Sequence, residues 1–339
     1  MKKNILITGA NGEIGHELIT SLAKWSDFNI VASDIQDLDP ILLPYCTKFI
    51  KGNILNPEII EQLKQYQYQT IYHLASILST KAESNPELAH QVNVGGTLNL
   101  LKLADEQSQY RQERVKFIYP SSIAVYGLPN REVKQKAGKV RESEWLYPIT
   151  MYGCNKLYCE HLGTYFSMHY RQMLVDSSLV RLDFRSIRFP GLISAKTIPS
   201  GGTTDYGPEM LHAAAQDKTY TCFVSPDTRL PFMVMPDAVR ALLMLENADL
   251  ENLSLKVYNV TSFNPSAEEI HEIVKSAFPK AAINYDPHPI RQKIVDSWPV
   301  DIDDSAATKD WGWCPQYDQK RAFDDYLIPT IRAFYSLGR

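Results

Sequence analysis

Apolar and polar positions follow two rhythms along the N-terminal half of the chain. Short β-branched runs at Asn4–Thr8, Asn29–Ser33, Phe49–Ile50, Thr70–Leu74 and Val115–Tyr119 read as strands. Ile14–Lys24 and Pro57–Gln65 between them read as helices, and Glu87–Gln107 sets Leu88, Val92, Leu98 and Leu101 at roughly helical spacing. Strands that are apolar throughout and alternate with helices are buried on both faces, which predicts an α/β fold with a doubly wound parallel sheet.

The texture changes after Arg188-Phe189-Pro190-Gly191. Gly, Pro, Thr and Ser become frequent and the strict alternation stops, although Lys256–Val260 still reads as a sheet strand. The expected division is a sheet domain over 1–190, with a returning strand near 256–260, and a smaller lobe over 191–339. Leu128–Trp145 carries many charges of both signs and reads as a solvated loop.

Composition narrows the function classes. The chain has 339 residues, 44% of them hydrophobic, enough for a substantial core. A net charge of −4 gives no basic footprint for nucleic acid or an anionic membrane. No apolar run approaches the roughly 18 residues of a membrane span. The first strand starts near Asn4, which leaves no room for a leader peptide, so a cytoplasmic location is expected. The five cysteines include no C-x-x-C pair, so neither a disulfide framework nor a metal site is expected.

Two motifs carry the chemistry. Gly9, Gly12 and Gly15 directly follow the strand residues Ile5-Leu6-Ile7 and open a helix. Such a turn lets backbone approach a pyrophosphate, and the helix N-terminus supplies free N–H groups and partial positive charge. Asp34 ends the second strand, where a carboxylate accepts hydrogen bonds from ribose hydroxyls and repels a 2′-phosphate, which favours NAD over NADP. Asp37 and Asp39 nearby keep a plain turn aspartate open as the other reading. The second motif, Tyr152-Gly153-Cys154-Asn155-Lys156, begins 144 residues after Thr8 (152 − 8). Four residues apart on a helix, Tyr152 and Lys156 share a face, and a lysine cation favours the phenolate that moves a proton. Ser121 and Ser122 follow the fifth strand, at the edge where such sheets bind ligands.

Gly9-x-x-Gly12-x-x-Gly15, His73-Leu74-Ala75, Ser121-Ser122-x-Ala124-Val125-Tyr126-Gly127 and Tyr152-x-x-x-Lys156 together resemble the extended short-chain dehydrogenase/reductase family over essentially the whole chain. The resemblance implies a Rossmann sheet with a smaller C-terminal substrate lobe. It implies catalysis by Tyr152, Lys156 and Ser122. It also implies a NAD site formed by Gly9, Asn11, Gly12, Glu13, Ile14, Gly15, Asp34, Asn53, Ile54, Leu74, Ala75, Ser76, Asn93, Tyr152, Lys156 and Leu192. Asn53 stands where the family usually has an aspartate against adenine, and its side-chain carbonyl still accepts from the adenine amine.

Relatives acting on nucleotide sugars typically continue their sixth strand with an asparagine that contacts diphosphate. Here Pro190 and Gly191 follow Arg188-Phe189, and Arg229 alone is a candidate diphosphate arginine. Gly201-Gly202-Thr203-Thr204-Asp205-Tyr206, Thr228-Arg229-Leu230-Pro231-Phe232-Met233 and Asp296-Ser297-Trp298-Pro299 are instead similar to the threonine-oxidising branch of the family. That likeness implies NAD-dependent oxidation of the 3-hydroxyl of L-threonine to 2-amino-3-ketobutyrate. The substrate contacts would be Ser79, Ser122, Tyr152, Thr203, Thr204, Asp205 and Trp298. Hydroxyls and backbone donors suit a carboxylate, and a carboxylate acceptor suits an ammonium. The zinc-dependent route to the same product needs a Cys/His ligand cluster that this pattern lacks. A nucleotide-sugar epimerase or dehydratase and a non-catalytic dinucleotide sensor are the alternatives. A homodimer is expected by analogy, through the helices at Glu87–Gln107 and Tyr152. The stretch Arg171–Val180 reads as a surface insertion.

Overall fold

The computed structural model describes residues 2–25, 27–173, 180–199 and 201–336. Seven strands, β1 (Lys3–Thr8), β2 (Phe28–Asp34), β3 (Lys48–Lys51), β4 (Thr70–His73), β5 (Lys116–Ser122), β6 (Asp183–Phe189) and β7 (Val257–Asn259), form one sheet in the order β7-β6-β5-β4-β1-β2-β3. Every pair is parallel, so the carboxyl ends of all the strands lie along one edge. Successive strands step outward in opposite directions from β1 and from β4, and the crevice between those two is the switch point at which such sheets hold ligands.

The main helices are α1 (Glu13–Leu22), α2 (Pro57–Lys64), α3 (Gly96–Arg111), α4 (Met151–Met168), α5 (Tyr206–Ala215) and α6 (Met235–Asn247). Strand alternation sends Ile5, Ile7, Ile30 and Ala32 into a core shared with α1 and α6. Leu6, Val31, Phe117 and Tyr119 go into a second core with Leu63 of α2, Leu100 of α3 and Phe166 of α4. A third core holds Val125, Tyr206, Phe232, Trp298 and Phe323, and three short parallel strand pairs border it.

Two elements differ from the sequence reading. The stretch Leu128–Trp145 is not a simple solvated loop. It contains a helix at Arg131–Ala137 and a strand at Lys139–Val140 that pairs with Asp301–Ile302, and it buries Leu128, Lys134 and Val140. Its charges are mostly exposed, so the local pattern conceals three inward side chains that only long-range partners explain. The helix expected over Glu87–Gln107 runs from Pro86 to Arg111 and is widened by one π turn at Gln91–Gly95. Residues 174–179, most of the expected insertion, lie outside the described residues.

Candidate active site

The crevice begins at the glycine turn after β1. Gly9 has φ +66°, and a Cβ on it would lie 2.5 Å from the backbone nitrogen of Ala75. A Cβ on Gly15 would lie 2.3 Å from the Ala10 carbonyl oxygen, so these glycines let β1, α1 and the end of β4 close on one another. Around Gly12 the space is open, with the Gly9 oxygen alone within reach at 3.3 Å. Gly12 is the N-cap of α1, and no side chain caps the helix. An open cradle with uncapped helix donors fits a dinucleotide pyrophosphate.

Asp34 is bound into this turn. Its Oδ2 accepts the Asn11 N–H at 2.9 Å and its Oδ1 accepts the Gln36 N–H at 3.0 Å, while Asn11 Oδ1 accepts the Asp39 N–H at 3.0 Å. Asn53 folds onto its own turn, with Oδ1 accepting the Leu55 N–H at 3.0 Å. Ile54 is buried, and a Cβ on Gly96 would strike its Cδ1. Leu74 donates its N–H to the Thr8 carbonyl, Ala75 lies against Gly9, and Leu192 sits in the short strand Gly191–Ile193. The π turn brings Asn93 against the chain after β4. Asn93 Oδ1 accepts Ser76 Oγ at 3.2 Å and the Ile77 N–H at 2.7 Å, and Nδ2 donates to the Ile77 carbonyl at 3.0 Å. Its amide therefore shapes the crevice wall through Ser76 and Ile77.

Ser121 and Ser122 face opposite ways at the end of β5. Ser121 Oγ donates to Glu160 at 2.5 Å beneath the site. Ser122 Oγ accepts the Ala124 N–H at 3.2 Å and faces the Tyr152 hydroxyl. Burial pushes the Tyr152 phenol above the usual range, and Ser122 opposes that rise. Lys156 lies one turn along α4 and is buried; its Nζ donates to the Pro120 carbonyl at 2.6 Å and sits 5.5 Å from the centre of the Tyr152 ring. Burial lowers the lysine to about 8, against the pull of Cys159 and Glu160. A cation beside a phenol that faces a serine hydroxyl is an arrangement suited to proton transfer.

The glycine-rich segment Gly201–Asp205 reaches across to the helix Ser79–Ser84. Thr203 Oγ1 donates to Ser79 Oγ at 3.0 Å, and Thr80 Oγ1 donates to the Gly201 carbonyl at 2.6 Å. The short helix Ser79–Ser84 meets the start of α4, where Glu83 accepts the Met151 N–H at 2.7 Å. Asp205 Oδ2 accepts the Gly202 N–H at 2.5 Å. Glu13 on α1 faces Asp205 and Thr197, and burial, reinforced by the Asp205 charge, raises its carboxyl to about 7. Thr204 packs beside Gly191. Trp298 is buried in the core against which Tyr152 packs, and its indole N–H has no partner.

The sequence reading missed Thr80, Glu83 and Arg291. Arg291 stacks 3.2 Å from the centre of the Phe223 ring and donates to the Gly202 carbonyl at 2.7 Å. None of these has a local signal, because each acts on backbone far away in the chain. Arg229, the candidate diphosphate arginine, is paired with Glu269 and the Asn264 carbonyl.

Similarity to known proteins follows the same architecture. The bovine mitochondrial L-threonine 3-dehydrogenase is 33% identical over 336 residues, 98% of this chain and 83% of the bovine one. An L-threonine dehydrogenase structure from Clostridium difficile superposes with a TM-score of 0.85 at 33% identity, covering 99% of each chain. A monomeric L-threonine 3-dehydrogenase from a metagenome, in its apo form, superposes with a TM-score of 0.82 at 38% identity, covering 97% of this chain and 99% of the other. Residues 5–261 match the model of the NAD dependent epimerase/dehydratase family, and with these full-length relatives the chain belongs to that family.

Proposed function

We propose that this chain oxidises the 3-hydroxyl of L-threonine to 2-amino-3-ketobutyrate with NAD. The observation that carries the reading is the Thr203–Ser79 bond, which draws the Gly-Gly-Thr-Thr-Asp segment onto the helix that abuts the Tyr152 turn. Hydroxyl donors and a carboxylate on that segment are the groups a small zwitterion requires, which supports the reading. The full-length likeness to proteins named L-threonine 3-dehydrogenase supports it.

In this reading Tyr152 takes the proton of the substrate hydroxyl, and Ser122 holds the reacting oxygen. Lys156 stabilises the phenolate. Asp205 accepts from the ammonium, and Thr204 and Ser79, whose Oγ is oriented by Thr203, donate toward the carboxylate. Trp298 forms the apolar wall. Gly9, Gly12 and the first turn of α1 hold the pyrophosphate, Asp34 the ribose hydroxyls, and Asn53 and Ile54 the adenine side. Bound NAD supplies the acceptor for the hydride that leaves the substrate carbon.

Arg229, engaged by Glu269, disfavours a nucleotide-sugar substrate. The test is spectrophotometric NADH formation from L-threonine, with the rise in melting temperature on adding UDP-glucose in the presence of NAD as the contrast. Threonine turnover is expected, and its absence alongside a response to the sugar nucleotide refutes the reading.

A cytoplasmic homodimer belongs to the same proposal. Cys154, Tyr158, His161, Tyr165 and Met168 make an exposed stripe along α4, and pairing two such faces would cover it. Light scattering of the purified chain reads the mass directly. A monomer, the state named for the metagenomic relative, removes the dimer. Cell fractionation tests the compartment. No described helix is long and apolar enough to cross a membrane.

A further inference from the structure

Beneath the reacting groups lies a closed polar cluster. Arg188, near the end of β6, is almost fully buried. Its Nε donates to Glu160 Oε1 at 2.9 Å and its Nη2 to Glu160 Oε2 at 2.7 Å. Its Nη1 donates to the Tyr126 hydroxyl at 2.9 Å and to the Glu142 carbonyl at 2.6 Å. The Tyr126 hydroxyl in turn donates to Asn259 Oδ1 at 2.7 Å on β7. Glu160 Oε1 also accepts Ser121 Oγ at 2.5 Å, one residue before Ser122. Glu160 lies four residues beyond Lys156 and eight beyond Tyr152 on α4, so the three share one face of the helix.

A buried two-pronged pair is a weak source of net stability, because desolvation of both ions offsets their attraction. The geometry gives this one a second task. We propose that Glu160, clamped by Arg188, is a positioning residue for the reaction: through Ser121 it fixes the strand end that carries Ser122, and through space it retains the positive charge on Lys156. Lys156 itself bonds to the Pro120 carbonyl and has no carboxylate within salt-bridge distance among the described residues. Burial works against its cation, and Glu160 and Cys159 are the groups that oppose the loss. Facing Glu160 are Arg188 from β6, Tyr119 from β5, Tyr126 from the following turn, and Lys156 and Cys159 from its own helix. His73 faces Lys156 from β4 and is held neutral. The proposal rests on reading Tyr152 and Lys156 as the proton-moving pair.

Direct titration of Lys156 tests it without any substrate, so the outcome stands apart from whether threonine turns over. The full chain is labelled with [ε-13C]lysine, and the Lys156 resonance is assigned by its loss in Lys156→Met. The midpoint in the parent is expected near 8. Glu160→Gln should lower it by about one pH unit, the scale set by a single charge one helical turn away in a protein interior. Glu160→Asp, which keeps the charge, should return it toward the parental value. Arg188→Met should move it the opposite way, upward. A purely structural role predicts no opposed shifts. The double variant Glu160→Gln with Arg188→Met leaves no lone buried charge and guards against misfolding; it should still lower the midpoint, by less than Glu160→Gln alone. An unmoved midpoint in the double variant, or shifts of one sign in both single variants, overturns the proposal.

Discussion

Protonating His73 should destabilise the fold by an amount that can be worked out from its surroundings. Both ring nitrogens are engaged, Nδ1 with Thr8 Oγ1 at 2.8 Å and Nε2 with Thr97 Oγ1 at 2.9 Å, and the side chain is 1% exposed. Burial, with a smaller push from Lys156, lowers the ring from 6.5 to about 3. Between those values the unfolded chain binds a proton that the folded chain does not, so stability rises with pH across the window and falls on acidification below 6.5. The penalty is about 0.4 kcal/mol at pH 6.5 and about 1.4 kcal/mol at pH 5.5, a loss of roughly 1 kcal/mol over that step. Urea unfolding of the parent and of His73→Gln at the two pH values, extrapolated to water, measures it. Glu13, raised to about 7, titrates in the same range with the opposite sign, but it is common to both proteins and cancels in the difference. The parent should lose about 1 kcal/mol more than the variant. Equal losses would mean that His73 accepts a proton in the folded state and that the reasoning fails.

Tyr152→Phe should lower threonine turnover by about 10²-fold or more while keeping the rise in melting temperature on adding NAD; near-normal turnover would remove the phenol from the mechanism. Asp34→Ala should raise the Michaelis constant for NAD, relax discrimination against NADP and lower the melting temperature, because the Asn11 N–H loses its acceptor. An unchanged coenzyme preference would make Asp34 a turn residue only. Thr204→Val should weaken threonine by a factor of roughly 10 to 150, the worth of one hydrogen bond to a charged group, and leave NAD binding nearly intact. Equal weakening of both ligands would mark the segment as structural.

The sheet was legible because its central strands are buried on both faces. Ile5, Leu6 and Ile7 serve alternate cores and therefore read as an unbroken apolar run. The glycine turn was legible because Gly9 and Gly15 answer to close backbone approaches that no other residue permits. Of the two serines, the family resemblance singled out Ser122; pleating turns Ser121 away to Glu160 and leaves Ser122 facing Tyr152. What stayed hidden was whatever depends on distant partners. Lys134 looks like a surface charge among its neighbours, yet its Nζ is buried and donates to the Val295 carbonyl at 3.1 Å. Arg291 is 89 residues from Gly202, whose carbonyl it holds, and periodicity carries no trace of such a pairing.

The π turn at Gln91–Gly95 makes that stretch sensitive to length rather than to composition. A π turn holds one residue more than an α turn. Thr97 Oγ1 and Cys159 Sγ occupy the Asn93 carbonyl inside it, at 2.5 Å and 3.4 Å. Removing any one residue there would let the helix close with regular bonds and would turn everything after it by about 100° relative to Pro86–His90. Leu100 and Ala104 would leave the core, and Asn93 would swing away from Ser76 and Ile77. Substitutions within the turn test one side chain at a time; a deletion tests the phase of the whole helix.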